Sequence, residues 1–263
     1  MSPVRKWGGG PYSVAVIHGG PGAPGEMASV ARELSAVKGI LEPFQTEKTL
    51  EGQIRELRSV LVGDGREPLT LVGFSWGAFL SWMVAARYPE LVGKLILVGC
   101  PPFEEQYAAS TTKTRLDRLS PENRIEAESL LAQLEKTEAD GKEGDKNALL
   151  TRLGNLLARA DSYAPQAPED KSFYCQYDIF KGVWDEACEL RHKKMLLYMA
   201  REITCPVIAI HGDYDPHPAE GVNIPLAQEL KNFRFVLLKK CGHRPWIERN
   251  AAEEFYRLLV KEI

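Results

Sequence analysis

The chain contains a serine and, downstream of it, an aspartate and a histidine that together could activate it as a nucleophile. Residues 73–77 spell Gly-Phe-Ser-Trp-Gly, with Ser75 at the centre, and Asp215 and His243 follow downstream. A serine is a weak nucleophile until a base removes its proton, and a histidine base needs a carboxylate to hold its tautomer. The order therefore predicts nucleophilic catalysis. Ser75 is the candidate nucleophile, His243 the general base and acid, and Asp215 the group that orients the imidazole.

Apolar runs precede each of these three residues. They cover residues 69–74, 206–212 and 234–239. Runs that are apolar throughout, without alternation, are typical of strands buried on both faces. The carboxyl ends of parallel strands meet at one edge of a sheet, where ligands bind in open α/β proteins. We therefore expect the three side chains to share that edge, with Ser75 on a tight strand-to-helix turn that needs glycine on either side.

The remaining chain supplies the rest of a layered fold. Further apolar runs at residues 13–18, 94–99 and, more weakly, 39–45 bring the predicted sheet to about six strands. The segments between strands carry helical periodicity, at residues 27–37, 50–61, 77–88, 218–230 and 247–263. This alternation predicts an α/β fold with a mostly parallel sheet flanked by helices.

One segment, residues 101–203, interrupts the alternation. It has no strand pattern but several helix signals, including Ser120 ahead of Pro121 and a long helical pattern from about residue 173 to 201. We predict a helical cap at 101–203, inserted after the strand that follows the nucleophile helix. Residues 1–100 and 204–263 then form the core.

Acyl transfer also requires donors for the oxyanion. Residues 18–22, His-Gly-Gly-Pro-Gly, follow the first predicted strand, where a glycine-rich loop supplies one backbone N–H. The residue after the nucleophile supplies the other. Gly20 and Trp76 are therefore the predicted oxyanion donors, and His18 is expected to brace the loop.

Three alternatives use the same segments. Asp213 competes with Asp215 for the third catalytic role. A metal site could be built from four side chains, namely Asp213, Asp215, His211 and His217. Residues 20–25 also match the glycine pattern of a dinucleotide-binding loop, with Glu42 as the ribose-binding acid, although two prolines there remove N–H groups from the loop. The leading interpretation needs no cofactor and no metal.

The composition bears on three questions: whether the protein binds nucleic acid, whether it spans a membrane, and in which compartment it is found. The 263 residues include 33 basic and 36 acidic side chains, a net charge of −3, which gives no reason to expect a nucleic-acid partner. No apolar run approaches the roughly 20 residues of a membrane span. Five widely spaced cysteines and the lack of a leader pattern predict a cytoplasmic protein. The sequence carries no signal of oligomeric state.

Together these motifs resemble the α/β-hydrolase superfamily, and most closely its proline iminopeptidase-like branch. The resemblance rests on residues 18–22, on Ser75-Trp76-Gly77, on His-Gly-Asp-Tyr-Asp-Pro at 211–216 and on Cys-Gly-His-Arg-Pro-Trp at 241–246. It implies a serine hydrolase. This chain departs from the branch at Phe74, where iminopeptidases usually have glycine, and in having few residues before the first glycine-rich loop.

The expected activity is hydrolysis of a small ester or amide, with a small molecule or short peptide as substrate. One alternative is release of an N-terminal proline, which the resemblance implies. The iminopeptidase family places acidic cap residues against the substrate's free amine, and five acidic residues are available in this cap, none of which is assigned to that role: Glu104, Glu105, Asp178, Asp185 and Glu186. Another is a ligand-binding protein that retains a hydrolase fold. Nine aromatic residues either line an aromatic pocket or pack the cap: Trp76, Phe103, Tyr107, Phe173, Tyr174, Tyr177, Phe180, Trp184 and Trp246.

Overall fold

A seven-stranded sheet forms the centre of the computed structural model, which describes residues 4–136, 143–166 and 174–263. The strands are β1 (Val4–Trp7), β2 (Tyr12–Ile17), β3 (Gly39–Pro43), β4 (Leu69–Phe74), β5 (Val92–Val98), β6 (Val207–Gly212) and β7 (Phe233–Leu238). Their order across the sheet is β1-β3-β2-β4-β5-β6-β7. β1 pairs antiparallel with β3, and every other neighbouring pair is parallel.

The predicted fold class is confirmed, with one correction to the strand count. The sheet has seven strands rather than about six because β1 extends its edge. β1 has only four residues, and its central Arg5 and Lys6 are exposed. An edge strand this short buries too little apolar surface to leave an apolar run in the sequence.

Helices cover both faces of the sheet because the central strands are apolar on both sides. Leu71 of β4 packs with α2 (Leu50–Asp64) and α3 (Trp76–Arg87), whereas its neighbour Val72 packs with α1 (Ala28–Leu34) on the opposite face. The C-terminal helix joins the second face. These two layers fix β4, and with it the position of the turn that follows.

Residues 101–203 contribute helices and no sheet strand within the described part of the chain. They are α4 (Glu105–Ala108), α5 (Thr111–Asp117), α6 (Pro121–Lys136), α7 (Glu143–Ala160), α8 (Tyr177–His192) and α9 (Met195–Tyr198). The core resumes with α10 (Glu220–Glu229) and α11 (Ala252–Glu262). A separate apolar cluster joins α6, α7 and the start of α8, with Leu130, Leu153 and Tyr177 among its members.

Two helix boundaries in this segment bear on the predictions. α6 begins at Pro121, and the Ser120 hydroxyl accepts a hydrogen bond from the Asn123 N–H at 3.3 Å. The long helix predicted for residues 173–201 is interrupted, because Lys194 adopts a left-handed conformation with φ of 58°. Residue 173 lies outside the described residues.

Among the described residues, no helix combines the length and apolarity that crossing a bilayer requires.

Candidate active site

Ser75 occupies a strained turn between β4 and α3. Its φ of 50° and ψ of −116° are unusual for a residue with a side chain, and its N–H donates to the Val98 carbonyl at 2.9 Å. A Cβ at Gly73 would lie 2.3 Å from the Gly77 carbonyl oxygen, and one at Gly77 would lie 2.3 Å from the Ile17 oxygen. Both glycines are therefore required by close backbone approach. The turn presents Ser75 to the cavity at the carboxyl edge of the sheet.

Gly20 and Trp76, the predicted oxyanion donors, line the same cavity as Ser75. Gly20 has a φ of +75°, and Trp76 is the first residue of α3, where a backbone N–H has no partner within the helix. The buried His18 ring lies against this loop, with Nδ1 2.7 Å from the Gly19 oxygen and Nε2 2.9 Å from the Phe44 oxygen. Burial lowers the pKa of His18, which favours the neutral ring. These contacts are those of a bracing residue.

Two glutamines that the sequence analysis did not single out fix the Trp76 side chain. The indole Nε1–H donates to Gln45 Oε1 at 3.1 Å and to Gln53 Oε1 at 2.9 Å, and all three residues are buried. Gln45 in turn donates to the His18 carbonyl at 3.3 Å. The residue after Ser75 is thereby linked to His18, the first residue of the glycine-rich loop.

Asp215, rather than Asp213, contacts His243. The His243 Nδ1 lies 2.7 Å from Asp215 Oδ2, and the Asp215 side chain is fully buried. The Asp213 carboxylate instead accepts the Cys241 N–H at 3.2 Å and lies 3.9 Å from the Lys239 ammonium. The geometry thus favours Asp215 for the orienting role and gives Asp213 a structural one.

Two further histidines surround the Asp215 carboxylate. Its Oδ1 accepts the backbone N–H of His217 at 2.9 Å and lies 2.9 Å from the His217 Nδ1. His211 Nε2 lies 3.6 Å from Oδ2 but only 2.9 Å from the His217 carbonyl oxygen, to which it donates. Burial disfavours the charged carboxylate, yet the three histidines outweigh burial and lower the pKa of Asp215 well below its usual range. Burial also lowers the pKa of His217 to about 4, so that ring is neutral at pH 7.

The four-residue metal site considered as an alternative does not assemble as a group in the described residues. The one cluster there whose ligand atoms could hold an ion consists of Asp215, His217 and His243, with those atoms within 4.8 Å of one another. It shares only two members with the predicted set. His217 is thus placed beside the candidate base, and its position two residues after Asp215 was the available sequence signal.

The loop that carries His243 is held by residues of the helical segment. The His243 N–H donates to the Asp161 carbonyl at 2.8 Å. Buried Glu248 accepts backbone N–H groups from Gly242 at 3.0 Å, Tyr163 at 2.8 Å and Ala164 at 2.7 Å. The segment that follows α7 is therefore bonded directly to the histidine loop.

Aromatic packing also fixes the His243 ring. Phe74, which precedes Ser75, has its ring centroid 4.7 Å from that of His243 and 4.7 Å from that of Trp246. A Cβ at Gly99 would lie 2.9 Å from His243 Nδ1. Phe74, the departure from the iminopeptidase pattern, is thus a direct neighbour of the candidate base.

A cavity of about 560 Å³ lies between the sheet edge and the helical segment, and Ser75 and His243 both line it. Its walls include leucines of α6 and α7, among them Leu131, Leu134, Leu150 and Leu153. Four acidic and four basic residues also line it, namely Glu26, Glu135, Asp161, Asp185, Arg115, Lys181, Arg191 and Arg244. Asp161 forms a two-point ion pair with Arg115, and Asp185 pairs with Lys181. The cavity is apolar with balanced charge.

The aromatic pocket, one of the two alternatives considered for these residues, forms in part. Trp76, Tyr177, Phe180 and Trp184 line the cavity, whereas buried Phe103 packs against Phe79 and Trp82, and Tyr174 is exposed. Phe173 lies outside the described residues. Of the five acidic residues considered for binding an amine, Asp185 is the one that lines the cavity.

Glu42, the acid required by the dinucleotide-binding alternative, is occupied by contacts with the edge strand β1. Its side chain is fully buried, and Oε2 accepts the Trp7 indole N–H at 2.8 Å and lies 3.4 Å from the Arg5 guanidinium. Both partners belong to β1, which pairs with β3 at Glu42. Glu42 therefore anchors the edge strand.

Comparisons with known proteins agree with this architecture. A family model described as the alpha/beta hydrolase fold matches residues 64–249. A 2-hydroxy-6-oxononadienedioate/2-hydroxy-6-oxononatrienedioate hydrolase of Paraburkholderia phymatum is 27% identical over 212 residues, which cover 78% of this chain. That match spans 66% of the relative's own length, just under two thirds.

Solved structures extend the likeness to nearly the whole chain. The crystal structure of VinJ matches with a TM-score of 0.68 at 16% identity, covering 98% of this chain and 93% of that one. The proline iminopeptidase of Mycobacterium smegmatis matches with a TM-score of 0.64 at 16% identity, with the same two coverages. At these identities the likeness concerns the fold.

Proposed function

The chain belongs to the α/β-hydrolase family of enzymes, and on that premise we propose that it is a serine hydrolase that cleaves a small, neutral ester or amide through an acyl-enzyme intermediate. One observation carries the proposal. His243, whose Nδ1 lies 2.7 Å from the buried Asp215 carboxylate, lines the same cavity as Ser75 in its strained turn.

In the proposed reaction, Ser75 Oγ attacks the substrate carbonyl carbon while its proton passes to His243 Nε2. Asp215 holds the proton on Nδ1 and stabilises the imidazolium that forms. The N–H groups of Gly20 and Trp76 bind the oxyanion. The imidazolium then protonates the leaving alcohol or amine. A water molecule, deprotonated by the same histidine, releases the acid and restores Ser75.

The cavity supports a substrate with an apolar portion and no net charge. Leucines of α6 and α7 offer apolar surface for an acyl or leaving group, and the lining charges balance. Residues 101–203 would act as the cap that closes over this substrate. Release of an N-terminal proline, the narrower alternative, needs an acid to bind the free amine. Of the five cap acids considered for this role, Asp185 is the one that lines the cavity, and its carboxylate pairs with Lys181 at 2.9 Å, which argues against that residue as the amine-binding group.

The decisive experiment is labelling of the purified protein with a fluorophosphonate probe, followed by mass spectrometry. We expect one adduct, on Ser75, in the parent protein and in the control variant Ser35→Ala, whose half-buried serine caps α1 and does not line the cavity. Ser75→Ala and His243→Ala should not be labelled, and Ser75→Ala should lose turnover by about 10⁴-fold to 10⁶-fold. Equal labelling of the parent and His243→Ala would contradict the mechanism.

A substrate panel then separates the candidate activities. Esters and lactones of graded chain length are compared with proline amides that have free or acetylated amines. Preference for neutral esters supports the proposed substrate class, whereas strict dependence on a free amine would identify an aminopeptidase. Tight binding of a panel member without turnover or labelling would favour a binding protein.

A further inference from the structure

The Asp215 carboxylate lies between two histidines that line the active-site cavity. His217 Nδ1 is 2.9 Å from Oδ1, and His243 Nδ1 is 2.7 Å from Oδ2. The two imidazole ring centroids are 4.8 Å apart. The proposed mechanism uses His243 and Asp215 but assigns no role to His217.

These three side chains offer the ligand types that zinc prefers. Imidazole nitrogens and a carboxylate oxygen are common Zn²⁺ ligands, and three protein ligands with one open position is a frequent arrangement. All three residues are buried, and their ligand atoms lie within 4.8 Å of one another. Tetrahedral zinc with bonds of about 2.0–2.1 Å places its ligand atoms about 3.3 Å apart. The hydrogen-bonded pairs would therefore lengthen by roughly half an ångström while the two rings draw closer together.

Charge and access also favour a cation at this position. The Asp215 carboxylate, which is fully buried, brings a negative charge to the site. His217 and His243 both line the cavity of about 560 Å³, so an ion can reach them by the route proposed for the substrate. No other group of three such ligands occurs within residues 4–136, 143–166 and 174–263.

We propose that Asp215, His217 and His243 form an inhibitory site for a divalent transition-metal ion, for which Zn²⁺ is the probe. The ion binds the Nδ1 lone pairs of both histidines and one carboxylate oxygen. Each ring remains neutral, because its proton moves from Nδ1 to Nε2. With a proton on Nε2, His243 cannot accept the proton of Ser75, so the bound ion stops the reaction. The inhibition rests on the proposed hydrolase function, whereas the binding does not.

Calorimetric titration with zinc chloride tests the binding. The parent protein should bind one ion per chain, and His217→Asn should bind at least about 10-fold more weakly, since loss of even an outer-shell partner costs 10-fold to 100-fold. The asparagine amide can still donate to Asp215, which favours an intact fold. Exposed His192→Asn is the matched control and should bind like the parent. Asp215→Asn, a second variant, should also lose the site.

Cobalt(II) absorption checks the ligand type, because the chain has five free cysteines. A bound-cobalt spectrum without a thiolate charge-transfer band is expected for nitrogen and oxygen ligands. Failure of the parent to bind zinc, unchanged affinity in both His217→Asn and Asp215→Asn, or a thiolate band would each overturn the proposed site.

Labelling tests the inhibition separately. Zinc should slow fluorophosphonate labelling of Ser75 in the parent protein by at least 10-fold, a chelator should restore it, and the zinc effect should disappear in His217→Asn. Zinc binding that leaves labelling unchanged would overturn the inhibitory role. If the zinc-free parent is never labelled, the proposed hydrolase function fails, while calorimetry still decides the metal site.

Discussion

Asp215→Asn is expected to disable the proposed reaction because the surrounding hydrogen bonds would orient the new amide so that it changes the tautomer of His243. Asp215 Oδ1 faces two donors of His217, the backbone N–H and the ring Nδ1, each at 2.9 Å. The amide oxygen of the asparagine should therefore occupy the Oδ1 position. Its NH₂ group then faces His243 Nδ1, 2.7 Å away in the parent protein.

The amide NH₂ and the Nδ1–H of His243 are both donors, so the His243 proton must move from Nδ1 to Nε2. A protonated Nε2 cannot accept the proton of Ser75. The wrong tautomer lowers kcat by about 10⁴-fold in a comparable triad, which corresponds to roughly 5 kcal/mol of transition-state stabilisation. We expect a loss of that order in hydrolysis of a p-nitrophenyl ester, with KM changed little. Thermal unfolding followed by circular dichroism checks that the variant is folded.

Asp213→Asn is the matched control. Asp213 accepts the Cys241 N–H through Oδ1, and an asparagine oxygen can still accept it. Its activity should stay within a few-fold of the parent. A large loss in Asp213→Asn together with near-normal turnover in Asp215→Asn would refute the assignment of the orienting acid.

Two further substitutions test the surroundings of the site. Gly99→Ala places a Cβ 2.9 Å from His243 Nδ1 at a φ of +51°, so ester hydrolysis should fall by about 10²-fold, the cost of a misplaced catalytic group. Glu42→Gln should raise the free energy of unfolding at pH 7 by on the order of 1 kcal/mol in urea titrations, because burial raises the pKa of Glu42 and its charged form is disfavoured in the fold.

Each of these two variants has a control that tests its physical cause, which is steric at Gly99 and electrostatic at Glu42. Gly63→Ala has open space around its Cβ and should keep full activity, so equal losses at Gly63 and Gly99 would contradict the steric argument. For Glu42, a raised pKa means that the carboxyl costs stability as the pH rises above its unfolded-state value. The advantage of Glu42→Gln should therefore shrink as the pH falls toward 4. An advantage that grows on acidification would contradict the assignment.

The parallel strands were predictable because burial on both faces leaves continuous apolar runs. β4 and β6 match their runs to within a residue, since nearly every side chain in them is covered. β1 lay beyond such reasoning, because its four residues include the exposed Arg5 and Lys6 and leave no apolar run in the sequence. The break at Lys194 was also missed, because the helical pattern continues across it.

Motif order and strand ends predicted which residues approach one another at the site, and the catalytic roles assigned to them remain predictions. The choice between Asp213 and Asp215 rested on loop position alone, and the contact with His243 supplies the geometric reason to prefer Asp215. The place of Gln45 could not be derived, because it depends on a contact with Trp76 across the fold rather than on sequence spacing.

The bonds between the histidine loop and the segment after α7 have a consequence for recombination between related chains. His243 is held by the backbone carbonyl of Asp161, and Glu248 binds the backbone of Tyr163 and Ala164. A chimera that exchanged residues 101–203 for another helical insert would thus replace part of the support of His243, the candidate base, along with much of the cavity wall. Grafts that retain 161–166 should keep these bonds to the histidine loop, so we expect an exchange that ends before residue 161 to disturb His243 less than one that replaces the whole insert.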